Sequence, residues 1–449
     1  MRRPSVRFLP EPWLAIAREV AQRLAGAGHR GWIVGGAVRD LALGLEPLDV
    51  DMASAAPPEE VERLFEHTTA VGKAFGTVIV RAHGREVQLT TFRSESGYSD
   101  ARRPDEVRYG KSVEEDSERR DFTCNALYLD PLDDSVRDPQ GGLEDLGARR
   151  LRCVGDPAQR FREDGLRLAR MARLAAALDL EIDPRASDAA RAQAEVLERI
   201  SVERRLGELE RMLEGRGSAR AVRLLMELEL LPRLIPGQDP LHPPDLDSGD
   251  AQATRLRALE HLGDAPGLAP GLALLLDPSP REPAAVPGDF EAASAVLDAL
   301  RPSRALRAAV LELWRLQREA EFLFSEALAS RARRILIVRS ERWPTAERLL
   351  RAWRAANERR AAPVDELAEF GAALAREELF PEPLVQPALL EELGVPRGPL
   401  WSEFLEEAEL LQLDRRLRTE AEARDWLAQR LAQVPHVGGK TRRSRHDNG

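Results

Sequence analysis

Apolar residues recur every three or four positions at Trp13, Ile16, Ala17, Val20, Ala21 and Leu24, predicting an amphipathic helix over 13–28, closed near Gly26 or Gly28. The pattern then shortens. Gly31-Trp32-Ile33-Val34 reads as a buried strand, Gly35-Gly36 as a turn, and Ala37 to Leu43 as a helix stopped by Gly44. Leu48 to Met52 is the next expected strand, and Pro57-Pro58 opens a helix to about Phe65. Gly76–Arg81 and Val87–Arg93 alternate as a β pair joined around Gly84. Residues 94–104 are polar and read as a loop, Glu114 to Asn125 as a helix, Ala126 to Asp130 as a strand, and 138–142 as a turn. From Asp156 onward the spacing is helical. Ser201 is placed to cap a helix ending at Gly215, and Ser218 to cap the next. Stretches 232–250 and 277–289, rich in Pro, Asp and Gly, interrupt these helices, which resume to about Leu431. The α/β pattern followed by continuous helix predicts an α+β protein with a β-sheet head on an all-helical remainder.

Composition changes this picture little. The chain has 449 residues, 43% hydrophobic and 32% charged, which suffices for two or three domains. The net charge of −10 excludes a globally basic surface, so a nucleic-acid partner needs a local basic face. The two cysteines, Cys124 and Cys153, lack metal-type spacing and fit a reduced, cytoplasmic setting. No apolar run is long enough for a membrane span, and no signal-peptide core follows Met1. The tail from Val437 has little to bury and is expected to be disordered.

The sharpest chemistry is at Asp49 and Asp51. On a strand, residues two apart share a face, so two carboxylates stand side by side with Val50 on the other face. Adjacent anions repel unless a cation lies between them, and magnesium favours hard oxygen ligands shared with phosphates. Just upstream, Gly35 and Gly36 lead into a helix whose first turn carries Arg39: backbone N–H groups, a helix N-terminus and a guanidinium fork, all suited to phosphate. Together they read as a metal-dependent nucleotidyl-transfer site. Asp40 reads as an anchor for a turn or an arginine. On the strand Val87–Arg93 the expected third acid is replaced by Gln88, with Glu86 two residues earlier on the same face. Gln88 can ligate through its carbonyl but cannot act as a base. On a helix, Asp121 and Asn125 would share a face and suit ribose hydroxyls, with Arg120 on phosphate. Asp164 and Arg167 are likewise spaced for one helix face, with Arg170 and Arg173 continuing the row. A carboxylate beside a guanidinium complements the amino donor and ring-nitrogen acceptor of cytosine and adenine. Guanine and uracil present the reverse order, at about 1–3 kcal/mol per unsatisfied group.

These residues resemble a family. Gly35-Gly36-Ala37-Val38-Arg39-Asp40 with Asp49-Val50-Asp51, Arg119-Arg120-Asp121-Phe122-Thr123 with Asn125, Gly141-Gly142 with Asp145, Glu163-Asp164 with Arg167, and Ser201-Val202-Glu203-Arg204 are similar to the bacterial-type (class II) CCA-adding tRNA nucleotidyltransferases and the related bacterial poly(A) polymerases. The resemblance covers about residues 30–235 and is weak beyond 240. It implies a small nucleotidyltransferase head (1–150), a helical neck with the base-recognition helix (151–235), a helical RNA-binding body and tail (236–436) and a disordered end (437–449) in a seahorse-like layout. It implies two Mg2+ ions on Asp49 and Asp51, nucleotide contacts from Gly36, Arg39 and Arg120, and base pairing by Asp164 and Arg167, with Arg170 and Arg173 beside the base. It identifies 94–104, with Tyr98, Asp100, Arg102, Arg103 and Pro104, as a flexible loop associated with the switch from C to A addition. The implied substrates are ATP, CTP and the 3′ end of tRNA, whose elbow would lie along the helical body. Rival expectations are a poly(A) polymerase, an enzyme adding only A or only CC, and a catalytically silent RNA-binding protein.

Overall fold

The N-terminal amphipathic stretch forms α1 (Glu11–Gly26), which buries Ile16, Ala17, Val20, Ala21 and Leu24. The computed structural model describes residues 3–70, 76–96, 106–236, 251–277, 290–325 and 330–433. Behind α1, β1 (Gly31–Val34) is buried along its whole length, as an uninterrupted apolar run requires. The chain continues through α2 (Gly36–Leu43), β2 (Asp51–Ser54), α3 (Pro58–Leu64), β3 (Thr68–Ala70), β4 (Thr77–Ala82) and β5 (Arg85–Thr91). It then forms β6 (Arg93–Ser96), β7 (Glu106–Tyr109), α4 (Val113–Glu118), β8 (Tyr128–Leu129), β9 (Val136–Arg137) and α5 (Gly142–Gly147). Seven strands make one mixed sheet in the order β3-β4-β5-β2-β1-β8-β9. Its β2–β5 pair is parallel and the others are antiparallel. β4 and β5 join through His83-Gly84, both at positive φ (51° and 69°), as a two-residue hairpin turn requires.

The expected strand over Leu48–Met52 begins three residues later, at Asp51. β1 stops at Val34 because Gly35 turns the chain, and Val34 pairs with Asp51, so residues before Asp51 have no partner on β1. Leu48 is 94% exposed. The alternation survives nonetheless: Val50 and Met52 are buried while Asp49 and Asp51 are exposed. Residues 94–96, expected in a loop, extend β6, which pairs with β7 in the register Arg93↔Tyr109 to Ser96↔Glu106. The remainder of the proposed loop, with Tyr98, Asp100, Arg102, Arg103 and Pro104, lies outside the described residues, as does the tail from Val437.

After the sheet, α6 (Pro157–Glu163), α7 (Leu166–Ala177), α8 (Pro184–Ala192), α9 (Val202–Leu213) and α10 (Ser218–Glu227) follow. Ser201 occupies the N-cap of α9 without a side-chain capping bond. Ser218 is not a cap. Gly217, at φ +69°, takes the N-cap of α10, and the Ser218 side chain is buried. The fold is α+β, with a mixed sheet followed by helices. By compactness the chain divides into two units, Met1–Gly271 with Ser294–Ser303 and Leu272–Ala293 with Arg304–Gly449. The second is helical, with one apolar cluster around Leu390, Phe404 and Leu427 and another around Ala332, Ile335 and Leu413.

Candidate active site

Gly35 shapes the first wall of the site. Its φ of +70° is open only to glycine without strain, and a Cβ there would lie 3.2 Å from Nη1 of Arg120. α2 starts immediately after it, so unpaired N–H groups at its first turn face the end of β1. Arg39 folds back over this turn. It donates from Nε to Asp40 (2.9 Å) and from Nη1 to Oδ1 of Asn125 (2.7 Å). Asp40 therefore anchors an arginine, as its place in the sequence suggested. Burial, against the Arg39 charge and helped by Asp49, raises its proton affinity.

Asp49 and Asp51 stand beside this turn. Neither carboxylate has a hydrogen-bond or ion-pair partner among the described residues. Asp51 is exposed in area, yet enough protein surrounds it for desolvation to lead in raising its pKa, to about 6. The charge of Asp49 adds to the rise, and Arg120 opposes it. Gln88 lies directly across from Asp51 in the parallel β2–β5 register and is exposed. Glu86 offers no third carboxylate, since it pairs with Arg81 at 2.5 Å. Among the described residues no group of three or more His, Cys, Asp or Glu is arranged to hold a metal. Two unpaired carboxylates fit a hard divalent ion whose remaining oxygens come from a phosphate ligand.

The segment expected as one helix over Glu114–Asn125 is broken. α4 ends at Glu118, Phe122 is extended and buried and bridges to Cys153, and Thr123–Asn125 form a single 3-10 turn. Asp121 and Asn125 are thus not neighbours on a helix face, yet they meet: Asn125 Nδ2 donates to Asp121 Oδ1 at 3.1 Å. The turn is held from below by Gly142, where a Cβ would fall 2.1 Å from the Thr123 carbonyl oxygen. Arg120 is wholly engaged by protein, donating to Asp116 (3.0 Å), Tyr128 (3.0 Å) and the Asn125 carbonyl (3.1 Å). Beneath Gly35, the buried Asp116 also accepts from Arg119 and from the Tyr128 hydroxyl.

Asp164 is not on α7. It is the extended residue after α6, separated from α7 by Gly165, so the expected shared helix face with Arg167 does not exist. Its Oδ1 accepts the Leu166 N–H (3.1 Å) and its Oδ2 accepts Arg204 of α9 (2.8 Å). Arg204 Nη1 is buried without a hydrogen-bond partner among the described residues. Arg167 begins the α7 row and is gripped by Glu163 (2.7 Å) and the Arg119 carbonyl (3.0 Å). Arg173 pairs with the buried Glu208 at 2.5 Å. Arg170 donates to Asp121 from Nε (3.0 Å) and Nη2 (2.7 Å). Burial alone would raise the Asp121 carboxyl, but the Arg170 charge, the Asn125 bond and Arg167 hold it well below the usual carboxylate range. The hydrogen bonds Arg39–Asn125–Asp121–Arg170 therefore run unbroken from the glycine turn to α7.

Sequence spacing gave no role to Glu163, Asp116 or Arg204. The first two carried a signal in Glu163/Arg167 and Asp116/Arg120, acid–arginine pairs four apart. Arg204 carried none, because it meets Asp164 across forty residues.

The family model for the poly A polymerase head domain matches residues 31–152, and that for a probable RNA and SrmB binding site of polymerase A matches 179–241. A CCA-adding enzyme of Levilactobacillus brevis is 46% identical over 210 residues, 47% of this chain and 52% of the relative. One of Bacillus pumilus is 44% identical over 207 residues, 46% of this chain and 52% of the relative. The chain spans about half the length of the curated relatives it matches. The crystal structure of the Bacillus stearothermophilus CCA-adding enzyme in complex with CTP superposes with a TM-score of 0.72 at 28% identity, covering 94% of this chain and 98% of that one.

Proposed function

We propose, from the premise that the chain belongs to the CCA-adding enzyme and poly(A) polymerase family, that it adds C and A nucleotides to the 3′ end of tRNA from CTP and ATP. The observation that carries the reading is the hydrogen-bonded path from Arg39 to Arg170, which ties the glycine turn beside two bare aspartates to α7. That is one nucleotide's worth of chemistry in a continuous site: charge at one end, an ordered polar edge at the other.

In this reading Asp49 and Asp51 would hold Mg2+ together with the triphosphate, and the metal when bound would supply neutralisation of phosphate charge and a lowered proton affinity at the attacking hydroxyl. The backbone N–H groups at Gly35-Gly36 and the α2 N-terminus bind phosphate oxygens, with Arg39 and Arg120 supporting them. The RNA 3′-hydroxyl attacks the α-phosphate: its oxygen bonds to Pα as the bond from Pα to the bridging oxygen of the β-phosphate breaks, pyrophosphate leaves with that oxygen, and the hydroxyl proton passes to solvent. The base edge meets Asp164 and Arg167. Both are fixed by Arg204, Glu163 and the Arg119 carbonyl before the base arrives, so selection needs no nucleic-acid template. Asp121, Asn125, Arg170 and Arg173 complete the pocket. The head (1–150), neck (151–235) and helical body and tail (236–436) divide the work, the last holding the tRNA elbow through phosphate contacts that weaken with salt.

The test is a tRNA lacking its 3′ end, incubated with CTP and ATP. Three additions in the order C, C, A support the reading. A long A tract instead makes the chain a poly(A) polymerase, and arrest after CC, or addition of A alone, makes it a partial enzyme. Exchanging Asp164 and Arg167 is expected to admit UTP and GTP. If selection for CTP and ATP persists in that variant, the base is read elsewhere.

A further inference from the structure

The sheet sets a further side chain beside the two aspartates, on the side away from the glycine turn. In the strand order, β1 leads into Gly35 and flanks β2 on one side, while β5 flanks it on the other. The pairing Thr69↔Ile79↔Gln88↔Asp51↔Val34 places these residues in one row on one face. Toward β1 and β8 this face is closed, because Val34 packs with Trp32, Ala53, Phe92 and Tyr128. Toward β5 and β4 it is open: Gln88 and Thr69 are exposed and Ile79 is half-buried. One strand spacing, about 4.8 Å, separates the backbone of Gln88 from that of Asp51. The Gln88 amide has no hydrogen-bond partner among the described residues. Arg81, which shares the open face, is engaged by Glu86 (2.5 Å) and Thr69 (2.6 Å).

We infer that Gln88 reads the 2′-hydroxyl on the terminal ribose of the RNA being extended. The inference rests on the nucleotidyl-transfer reading above. In that reading the incoming nucleotide starts at the glycine turn that follows β1 and runs to α7, and the RNA 3′-hydroxyl must reach the α-phosphate beside Asp49 and Asp51. With the β1 side of Asp51 taken, the terminal ribose enters over the open face toward β5. Its 2′-hydroxyl, on the carbon next to the reacting one, then comes within reach of Gln88. A 2′-hydroxyl both donates and accepts a hydrogen bond, and it distinguishes an RNA end from a DNA end. The glutamine amide supplies both complements, a carbonyl acceptor and an NH2 donor. An ionised acid in its place would only accept, and would add a third negative charge beside two. Because Glu86 already engages Arg81, recognition on this face is by hydrogen bonding to the sugar and apolar contact with Ile79 rather than by attraction to phosphate.

Competition binding tests this, with Mg2+ and no nucleotide, between a tRNA lacking its 3′ end and the same tRNA carrying one 2′-deoxynucleotide at its terminus. The wild-type protein is expected to prefer the ribose end roughly tenfold, the scale of one hydrogen bond with both partners satisfied. Gln88→Met, similar in length but without the amide, is expected to bind both ends alike, by weakening the ribose end alone. CTP binding with Mg2+ and no RNA, read by calorimetry, is expected to be unchanged in that variant. A ribose preference that persists in Gln88→Met, or that the wild type lacks, overturns the inference. So does a variant that loses CTP affinity while keeping the preference, since Gln88 would then serve the metal and the triphosphate. If Gln88→Met does not fold, Gln88→Val, a strand-favouring residue too short to reach the sugar, replaces it. The RNA-extension assay judges the proposed reaction separately. Wild-type protein that prefers the ribose end but extends no tRNA fails there while the contact stands.

Discussion

The two ends of the site treat their carboxylates in opposite ways. At the glycine turn, Asp49 and Asp51 stand without partners, and Asp51 is pushed up to about 6 by desolvation and by its neighbour. Around the loop before the 3-10 turn and the start of α7, four acids are held by arginine: Asp116 by Arg119 and Arg120, Asp121 by Arg170, Glu163 by Arg160 and Arg167, Asp164 by Arg204. Unpaired charge is unstable unless a cation is to arrive, whereas paired charge is already neutralised and serves to hold geometry. The first end is built to gain something, and the second is finished.

Removing charge at the two ends should therefore do different things. Asp49→Ala or Asp51→Ala is expected to lower turnover by at least about 10²–10³-fold, the scale of losing a charge-stabilising group. The thermal midpoint should hold or rise slightly, because a repulsion is relieved. Near-normal extension of tRNA by either variant would end the metal assignment. Asp116→Ala is expected to lose about 3–5 kcal/mol of stability, as breaking a buried ion pair does, read from the denaturant midpoint. An unchanged midpoint would mean that the buried network contributes little to the head.

The pH responses should also run in opposite directions. Asp116 and Asp121 have folded values below the ordinary 3.8, so their stabilisation is present at neutral pH and is lost as pH falls through and below that value. Asp51 lies above it, so the fold favours its protonated form, and stability declines as pH rises from about 4 toward 6. Asp51→Asn should flatten the second slope and leave the first, measured by thermal unfolding across pH 3–8. Nucleotide binding with Mg2+ should strengthen over the same rise, since proton and cation compete for Asp51. The smallest expected effect concerns thiols. Burial pushes Cys124 and Cys153 up to about 12, so neither should react with iodoacetamide at pH 8 until the chain unfolds.

Much of the head was legible along the chain. The i, i+3, i+4 rhythm gave α1, the apolar run gave β1, and the alternation of Asp49 and Asp51 with buried Val50 and Met52 survived even though the strand itself starts at Asp51. The arginine row of α7 was also readable, because Arg167, Arg170 and Arg173 follow helical spacing within one element. Two local expectations failed for the same reason. A helix through Glu114–Asn125 and a shared face for Asp164 and Arg167 both satisfy spacing. Tertiary partners won instead: Phe122 is drawn into the core against Cys153, and Asp164 is extended between two helices.

Residue order alone settled where the backbone must turn, since only glycine accepts φ +70° at position 35, and which face of β2 carries charge, since side chains alternate whatever the partner. It could not settle which arginine holds which acid. Arg204 and Asp164, or Arg170 and Asp121, lie tens of residues apart, and attraction between unlike charges carries no sequence period. Packing of the sheet and the helices after it chose those partners, and with them which carboxylates are left bare.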